Sequence, residues 1–281
     1  MQSCSYLKSY KVQEIVFSSI RSNIAYFKKP KIIKRLLTKN EMLKIKDVNS
    51  CSSVVKNKIG IAADSLIDDP IVFPHGFITW KYNTIYVTFR GVDNYEDLKY
   101  AIDIRTTKWN NTDAYIHNGF DKLFSKMREM ISKDISIITD KYPIERLIFA
   151  GHSGGGALAM LSSMHYYDLY PDLHITCHTF GSPVVGDKLF VKLFTSKVDE
   201  YSRVEYIEDI VPFLPYNKQF VHIPNGIVLT KNGTYSCSTS LTKKCIELVN
   251  HIPDVFTHHA CEHYLTCLSK LTAQLSIEEK P

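Results

Sequence analysis

Gly151-His152-Ser153-Gly154-Gly155 lies between an apolar run, Leu147-Ile148-Phe149-Ala150, and a helix-forming stretch, Ala157-Leu158-Ala159-Met160-Leu161. A G-x-S-x-G pentapeptide in that setting reads as a strand-to-helix turn with the serine at its tip. The serine of such a turn must adopt a strained backbone conformation that lifts its hydroxyl clear of the sheet, which is sterically open only if the flanking positions lack bulky side chains. Gly151 and Gly155 meet that demand. The helix that follows points free N–H groups and the positive end of its dipole at the serine oxygen.

Around the turn the pattern is strand and helix in alternation. Helical spacing covers about Val12 to Tyr26 and Lys31 to Lys46. Ile78-Thr79-Trp80 and Ile85-Tyr86-Val87-Thr88-Phe89 form a hairpin about a turn at Lys81 to Thr84. Helices are then expected at Phe120 to Thr139, Ala157 to Tyr167 and Asp187 to Phe194. Strands are expected at Arg146 to Ala150, His174 to Phe180 and Arg203 to Ile207. Such alternation implies a largely parallel sheet covered on both faces, with functional residues at the carboxyl ends of the strands.

Charge is unevenly placed. Residues 1–58 hold 13 Lys/Arg against 3 acids, whereas the rest of the chain holds 21 against 26. This divides the chain into a basic, helical N-terminal extension (1–58) packed on a main domain (59–281). The segment 31–46 sets Ile32, Ile33, Leu36, Leu37 and Leu43 among lysines and arginines, a helix able to lie on anionic lipid or to pack one face on the domain. No nucleic-acid module accompanies the charge, so nucleic acid is not an expected partner. The seven cysteines (4, 51, 177, 237, 245, 261 and 267) are odd in number, widely spaced and without a C-x-x-C pair, which indicates neither a disulfide scaffold nor a zinc ribbon. With no signal-peptide pattern and no long apolar span, the expected location is cytoplasmic or membrane-peripheral.

A serine hydroxyl becomes a nucleophile when a histidine takes its proton and a carboxylate fixes the imidazole. The turn resembles the nucleophile elbow of the α/β-hydrolases, in which the chain order is serine, acid, histidine. That order directs the search beyond Ser153. Asp209 follows a strand end and precedes the stiff loop Val211-Pro212-Phe213-Leu214-Pro215. Glu208 is its neighbour, and Asp187 and Asp199 fit helix-end or turn roles better. Five histidines lie further on: His222, His251, His258, His259 and His263. His258, His259 and His263 crowd around Cys261, but without a second cluster they do not make a metal site.

Five separated blocks resemble the class 3 lipases, a family that includes fungal extracellular triacylglycerol lipases and plant and viral relatives. They are Val87-Thr88-Phe89-Arg90-Gly91; His117-Asn118-Gly119-Phe120; Gly151 to Ala159; Thr179 to Asp187; and Asp209 to Pro215. The resemblance spans roughly residues 70–270. It implies an α/β-hydrolase fold, with a mostly parallel central sheet, helices on both faces and a helical N-terminal extension. It also implies a serine carboxylic-ester hydrolase acting on lipid esters, without a cofactor or metal. Carried over by position, it makes Ser153 the nucleophile, Asp209 the acid and His259, five residues before Tyr264-Leu265, the base. The amides of Val92 and Gly154 become the oxyanion donors. The family usually carries serine or threonine where Val92 stands, and often leucine where Gly154 stands. Residues 93–109, with Tyr95, Leu98, Tyr100, Ile102, Ile104 and Trp109, can serve as a lid or as core. Two other readings stay open: a lipase-like interaction protein, and a membrane binder that uses residues 1–58 on anionic lipid.

Overall fold

The computed structural model describes residues 9–26, 35, 71–215, 219–230, 235–238 and 259–278. The strands of the first half are β1 (Ile71–Phe73), β2 (Gly76–Lys81), β3 (Thr84–Phe89), β4 (Thr106–Lys108), β5 (Tyr115–His117) and β6 (Arg146–His152). Those of the second half are β7 (His174–Phe180), β8 (Gly186–Asp187), β9 (Glu200–Tyr206), β10 (Phe220–Val221), β11 (Gly226–Leu229) and β12 (Tyr235–Ser238). The helices are α1 (Ser9–Ile24), α2 (Tyr95–Ala101), α3 (Asn118–Lys141), α4 (Gly154–Leu169), α5 (Lys188–Lys197) and α6 (Cys261–Glu278).

Eight strands form the central sheet in the order β1-β2-β3-β6-β7-β9-β11-β12. The middle five, β3-β6-β7-β9-β11, run parallel, and the antiparallel pairs sit at the edges. Buried on both faces, central strands such as Leu147-Ile148-Phe149-Ala150 need apolar side chains at every position rather than at alternate ones. The register sets Phe89 beside Gly151, Gly151 beside Thr179, and Phe180 beside Val204. The carboxyl ends of β3, β6, β7 and β9 therefore lie side by side along one rim, each running directly into one of the sequence blocks.

Each face has its own core. On one side Phe149, Ile175 and Cys177 join Phe120, Phe124, Ile131 and Ile135 of α3, Leu158 and Leu161 of α4, and Phe190 and Phe194 of α5. On the other, Phe77, Phe180, Val204 and Leu229 meet α1 and α6. The apolar stripe of α1 (Val12, Ile15, Val16, Ile20 and Ile24) follows helical spacing and is almost wholly buried. Each such side chain contributes about 1.5–3 kcal/mol relative to leaving it exposed. Polar contacts fix the register of this helix: the Arg146 guanidinium donates to both Glu14 carboxylate oxygens (2.6 and 3.0 Å), and Arg21 Nη1 donates to Thr79 Oγ1 (2.6 Å). The one basic residue in its last turn, Arg21, is thus buried against the sheet and stacked on Tyr86. The expected helix over 31–46 lies outside the described residues apart from Arg35.

A second, four-stranded antiparallel sheet in the order β10-β8-β5-β4 flanks the main one. It was not foreseen, because strands of two or three residues show no readable alternation. β5 runs straight into α3, and His117 caps that helix: its Nδ1 accepts from the Phe120 amide at 3.3 Å. Among the described residues no helix is long and apolar enough to cross a membrane.

Candidate active site

Ser153 stands where β6 ends and α4 begins, with φ 59° and ψ −133°. A non-glycine residue in that region is strained, and it is held there by its surroundings. Its amide donates to the Phe180 carbonyl at the end of β7 (2.9 Å), while its own carbonyl accepts from the Gly156 amide (2.8 Å). Glycines make the approach possible: a Cβ on Gly151 would lie 2.1 Å from the Gly155 oxygen, and one on Gly155 would lie 2.5 Å from the Arg90 oxygen. The elbow is wedged against the loop that leaves β3.

That loop carries Gly91 and Val92. A Cβ on Gly91 would fall 2.6 Å from the Ser153 Cβ, so the loop passes directly over the serine. The Val92 amide nitrogen lies 3.9 Å from the position a Gly154 Cβ would take, so Val92 passes close to Gly154 beside Ser153. Arg90 anchors the loop from beneath. Its Nη1 donates to Asp97 Oδ2 (2.5 Å) and to the Gly91 carbonyl (2.9 Å), and Asp97 Oδ2 also accepts the Asp93 amide (3.1 Å). Burial, the largest single influence, pulls the Asp97 carboxyl upward, but the Arg90 hydrogen bond, the Asp93 amide and the Arg90 and His75 charges together outweigh it and the net shift is downward. Asn94 caps α2 by accepting from the Asp97 amide (2.9 Å).

Asp209 is 1% exposed at the end of the turn after β9. Its Oδ1 accepts the Val211 amide (2.8 Å), and its Oδ2 accepts the Tyr264 hydroxyl and faces His259 Nδ1 at 2.8 Å. The Tyr264 hydroxyl is pushed well above its usual range, by burial first and then by the charge of Asp209. It is therefore a fixed donor. His259 Nε2 is buried and has no hydrogen-bond partner. Asp209 and the His259 ring are thus joined, while no hydrogen bond links Ser153 to that ring in this structure. In sites without substrate such bonds are commonly long and close only in the complex.

The other candidates have different work. Asp187 caps α5 through the Phe190 amide (2.8 Å), and Asp199 accepts the Ile175 amide at the start of β7 (2.7 Å). Glu208 accepts from the Tyr206 hydroxyl (3.4 Å). His222 Nε2 donates to the Pro212 carbonyl (2.5 Å), and His263 stacks on Tyr206. His251 and His258 lie outside the described residues. Among the described residues no group of three or more His, Cys, Asp or Glu is arranged to hold a metal. The segment read as lid or core is split: Trp109 is buried, whereas Tyr95, Leu98, Ile102 and Ile104 are exposed. Two residues were not anticipated. Tyr264 entered only as a spacing marker for His259, and nothing near Tyr26 in the sequence signals its place beside the elbow.

The sequence pattern of the lipase (class 3) family matches residues 86–219, which include most of β3, the loop that carries Val92, the turn at Ser153 and Asp209. Lipase from Rhizopus niveus is 27% identical over 190 residues, covering 63% of this chain and 47% of that protein. Lipase from Rhizomucor miehei is 27% identical over 184 residues, covering 62% and 51%. The chain spans about half the length of these curated relatives. Among solved structures, the triacylglyceride lipase of Rhizomucor miehei superposes with a TM-score of 0.65 at 19% identity, over 94% of this chain and 98% of that one. A triacylglycerol lipase whose catalytic centre is formed by a serine protease triad gives 0.63 at 20% identity, over 89% and 94%. At such identities the superpositions establish the α/β-hydrolase fold. The sequence match over residues 86–219, with the likeness to the Rhizopus and Rhizomucor lipases, supports membership of the class 3 lipase family.

Proposed function

We propose that this chain is a serine carboxylic-ester hydrolase acting on lipid esters through Ser153, His259 and Asp209. The observation that carries the reading is the His259 ring, bonded through Nδ1 to buried Asp209 and holding a buried, unpartnered Nε2. A carboxylate accepts only, so Nδ1 carries the proton and Nε2 presents its lone pair as a base. In the proposed cycle the Ser153 oxygen attacks the ester carbonyl while Nε2 takes the hydroxyl proton. The Val92 and Gly154 amides receive the negative charge that develops on the carbonyl oxygen. The tetrahedral intermediate collapses as the protonated ring gives its proton to the departing alcohol, which leaves an acyl group on Ser153. Water, deprotonated by the same nitrogen, then releases the acid and restores the serine.

The relatives are named as lipases, which supports a lipid ester as substrate. So does the exposed apolar set Tyr95, Leu98, Ile102 and Ile104, which begins three residues after Val92. The cations among these side chains are already paired: Lys99 with Glu96, Arg105 with Asp103, and Lys108 with Asp113. Contact with a lipid surface here would therefore be apolar rather than electrostatic. Acylglycerol and phospholipid both fit this reading.

The test is a panel of acylglycerols, phospholipids and short p-nitrophenyl esters, run with wild type and Ser153→Ala beside fluorophosphonate labelling. Turnover and labelling are expected in the wild type, with loss of at least about 1,000-fold in the variant. Equal turnover in both proteins would overturn the assignment. A wild type that neither turns over nor labels would instead favour a lipase-like binding protein.

A further inference from the structure

We infer that Tyr26 and His152 are positioning residues that tie the N-terminal helix into the active centre, linking the oxyanion loop to the backbone of His259. The inference rests on the proposed serine-hydrolase reading. It starts from three contacts: the Gly91 amide donates to the Tyr26 hydroxyl (3.1 Å), that hydroxyl meets His152 Nδ1 (2.8 Å), and His152 Nε2 meets the His259 carbonyl oxygen (2.7 Å). These contacts join segments 65, 126 and 107 residues apart in sequence.

The direction of every bond follows from chemistry. A carbonyl oxygen can only accept, so His152 Nε2 carries a proton. The ring is 3% exposed, and its pKa is driven well below 6.5 by burial and then by the neighbouring His259 ring, so it is neutral and Nδ1 is an acceptor. Tyr26 must then donate to Nδ1, and its oxygen is left to receive the Gly91 N–H. Burial raises the Tyr26 hydroxyl far above its ordinary range, which keeps the phenol protonated. The Gly91 N–H, the Tyr26 hydroxyl, both His152 nitrogens and the His259 carbonyl are satisfied together in one arrangement only.

That arrangement clamps the two halves of the site together. Gly91 immediately precedes Val92, whose amide is a proposed oxyanion donor, and His152 immediately precedes Ser153. The backbone of His259 is held by the His152 ring, which lies 4.6 Å from the His259 ring at 30° and 5.7 Å from Tyr264 in an edge-on contact. Neither Tyr26 nor His152 supplies a group to the reacting atoms. They fix the distance between the elbow and the base, where an error of about 1 Å can cost 100-fold in rate. Tyr26 also lies outside the segment that matches the family pattern.

The experiment compares wild type with Tyr26→Phe, His152→Gln, His152→Ala and the Tyr26→Phe/His152→Ala double variant. The readouts are fluorophosphonate labelling rate, kcat and KM on a p-nitrophenyl ester, and thermal midpoint. Tyr26→Phe is expected to lower kcat about tenfold with KM within about twofold, and His152→Ala to lower it about 100-fold. His152→Gln should recover part of that loss, because its amide can still donate to the His259 carbonyl. The double variant should be no slower than His152→Ala alone, as members of one network behave. Losses that multiply, or a lowered midpoint with unchanged kcat, would overturn the inference. If Tyr26→Phe labels as fast as a reactive wild type, only the inference falls; an unreactive wild type removes the underlying reading as well. A measurement on unmodified protein needs no variant to fold. Histidine nitrogen shifts should show His152 as the neutral Nε2–H form from pH 5 to 8, and a ring that titrates in that range would sink the proposal.

Discussion

Two buried aspartates bracket Ser153, and they are held in opposite ways. Asp97, under the loop that carries Val92, sits 2.5 Å from Arg90 Nη1 and is lowered in pKa despite its burial. Asp209, across the site, accepts from a phenol and a backbone amide and faces an imidazole. Among the described residues Asp209 has no ion pair with arginine or lysine. A carboxylate with a permanent cation is neutralised whatever happens nearby, so it fixes structure. One surrounded by neutral donors keeps its charge for a partner whose own charge changes. At Asp209 that partner is His259, and the attraction grows when the ring takes a proton. One aspartate holds a loop in place, whereas the other, in the proposed mechanism, answers a change of charge on its partner.

The largest effect should therefore come from Asp209→Asn. The amide can still occupy the site, but it can present its N–H to His259 Nδ1 and favour the tautomer that leaves no lone pair facing Ser153. A fall in kcat of about 10,000-fold is expected, with KM and thermal midpoint changed little. A loss smaller than about tenfold, measured on the same ester panel, would erase the distinction between the two carboxylates.

Asp97→Asn should act on stability instead. Removing one charge of a buried pair leaves the other uncompensated, at a cost of about 3–5 kcal/mol, and the Arg90 guanidinium is 4% exposed. Denaturant unfolding should show that loss, while kcat of the remaining folded protein falls less than about tenfold. A catalytic defect as deep as that of Asp209→Asn, with the unfolding midpoint unmoved, would reverse the roles assigned here.

How well each side could be read from the sequence follows the range of its contacts. The elbow is written in five consecutive residues, since the strained turn at Ser153 needs Gly151 and Gly155 on either side. Asp209 could be found because it follows a recognisable strand and the chain order is restricted. His259 could not be separated from four other histidines by spacing alone; the resemblance to a family singled it out, and its bond to Asp209 is visible only in the fold. The parallel core strands announced themselves through continuous apolar runs, whereas β4, β5, β8 and β10 are too short to show a period. Residues 93–109 carry apolar side chains that fit lid and core equally, and the fold uses them for both surface and interior. Tyr26 was unreadable because its partners are Gly91 and His152, neither within 60 residues of it. No local pattern encodes such a contact.

The smallest effect concerns acid. His152 and His222 both lie on the Asp209 side. His152 is held well below its ordinary range by burial, and His222 is held at about 3 by burial and then by the Arg203 charge. His117 and His165, at about 4, are lowered chiefly by burial. For each, the folded pKa lies below the unfolded value of about 6.5, so between those limits the unfolded chain binds more protons than the folded one. Stability is then full above about pH 6.5 and falls as the pH drops, by up to about 1.4 kcal/mol per pH unit for each ring. Asp97 is lowered too, but from an unfolded value of about 3.9, so its contribution is lost only below about pH 4. Urea unfolding should show a steep loss between pH 7 and 5, and His222→Gln should remove one ring's share, about 2 kcal/mol at pH 5. Its amide nitrogen can replace Nε2 as donor to the Pro212 carbonyl, so the neutral-pH cost should stay small. An unchanged acid slope in this variant would mean that His222 takes up its proton without unfolding, which would remove it from the neutral support of the Asp209 side.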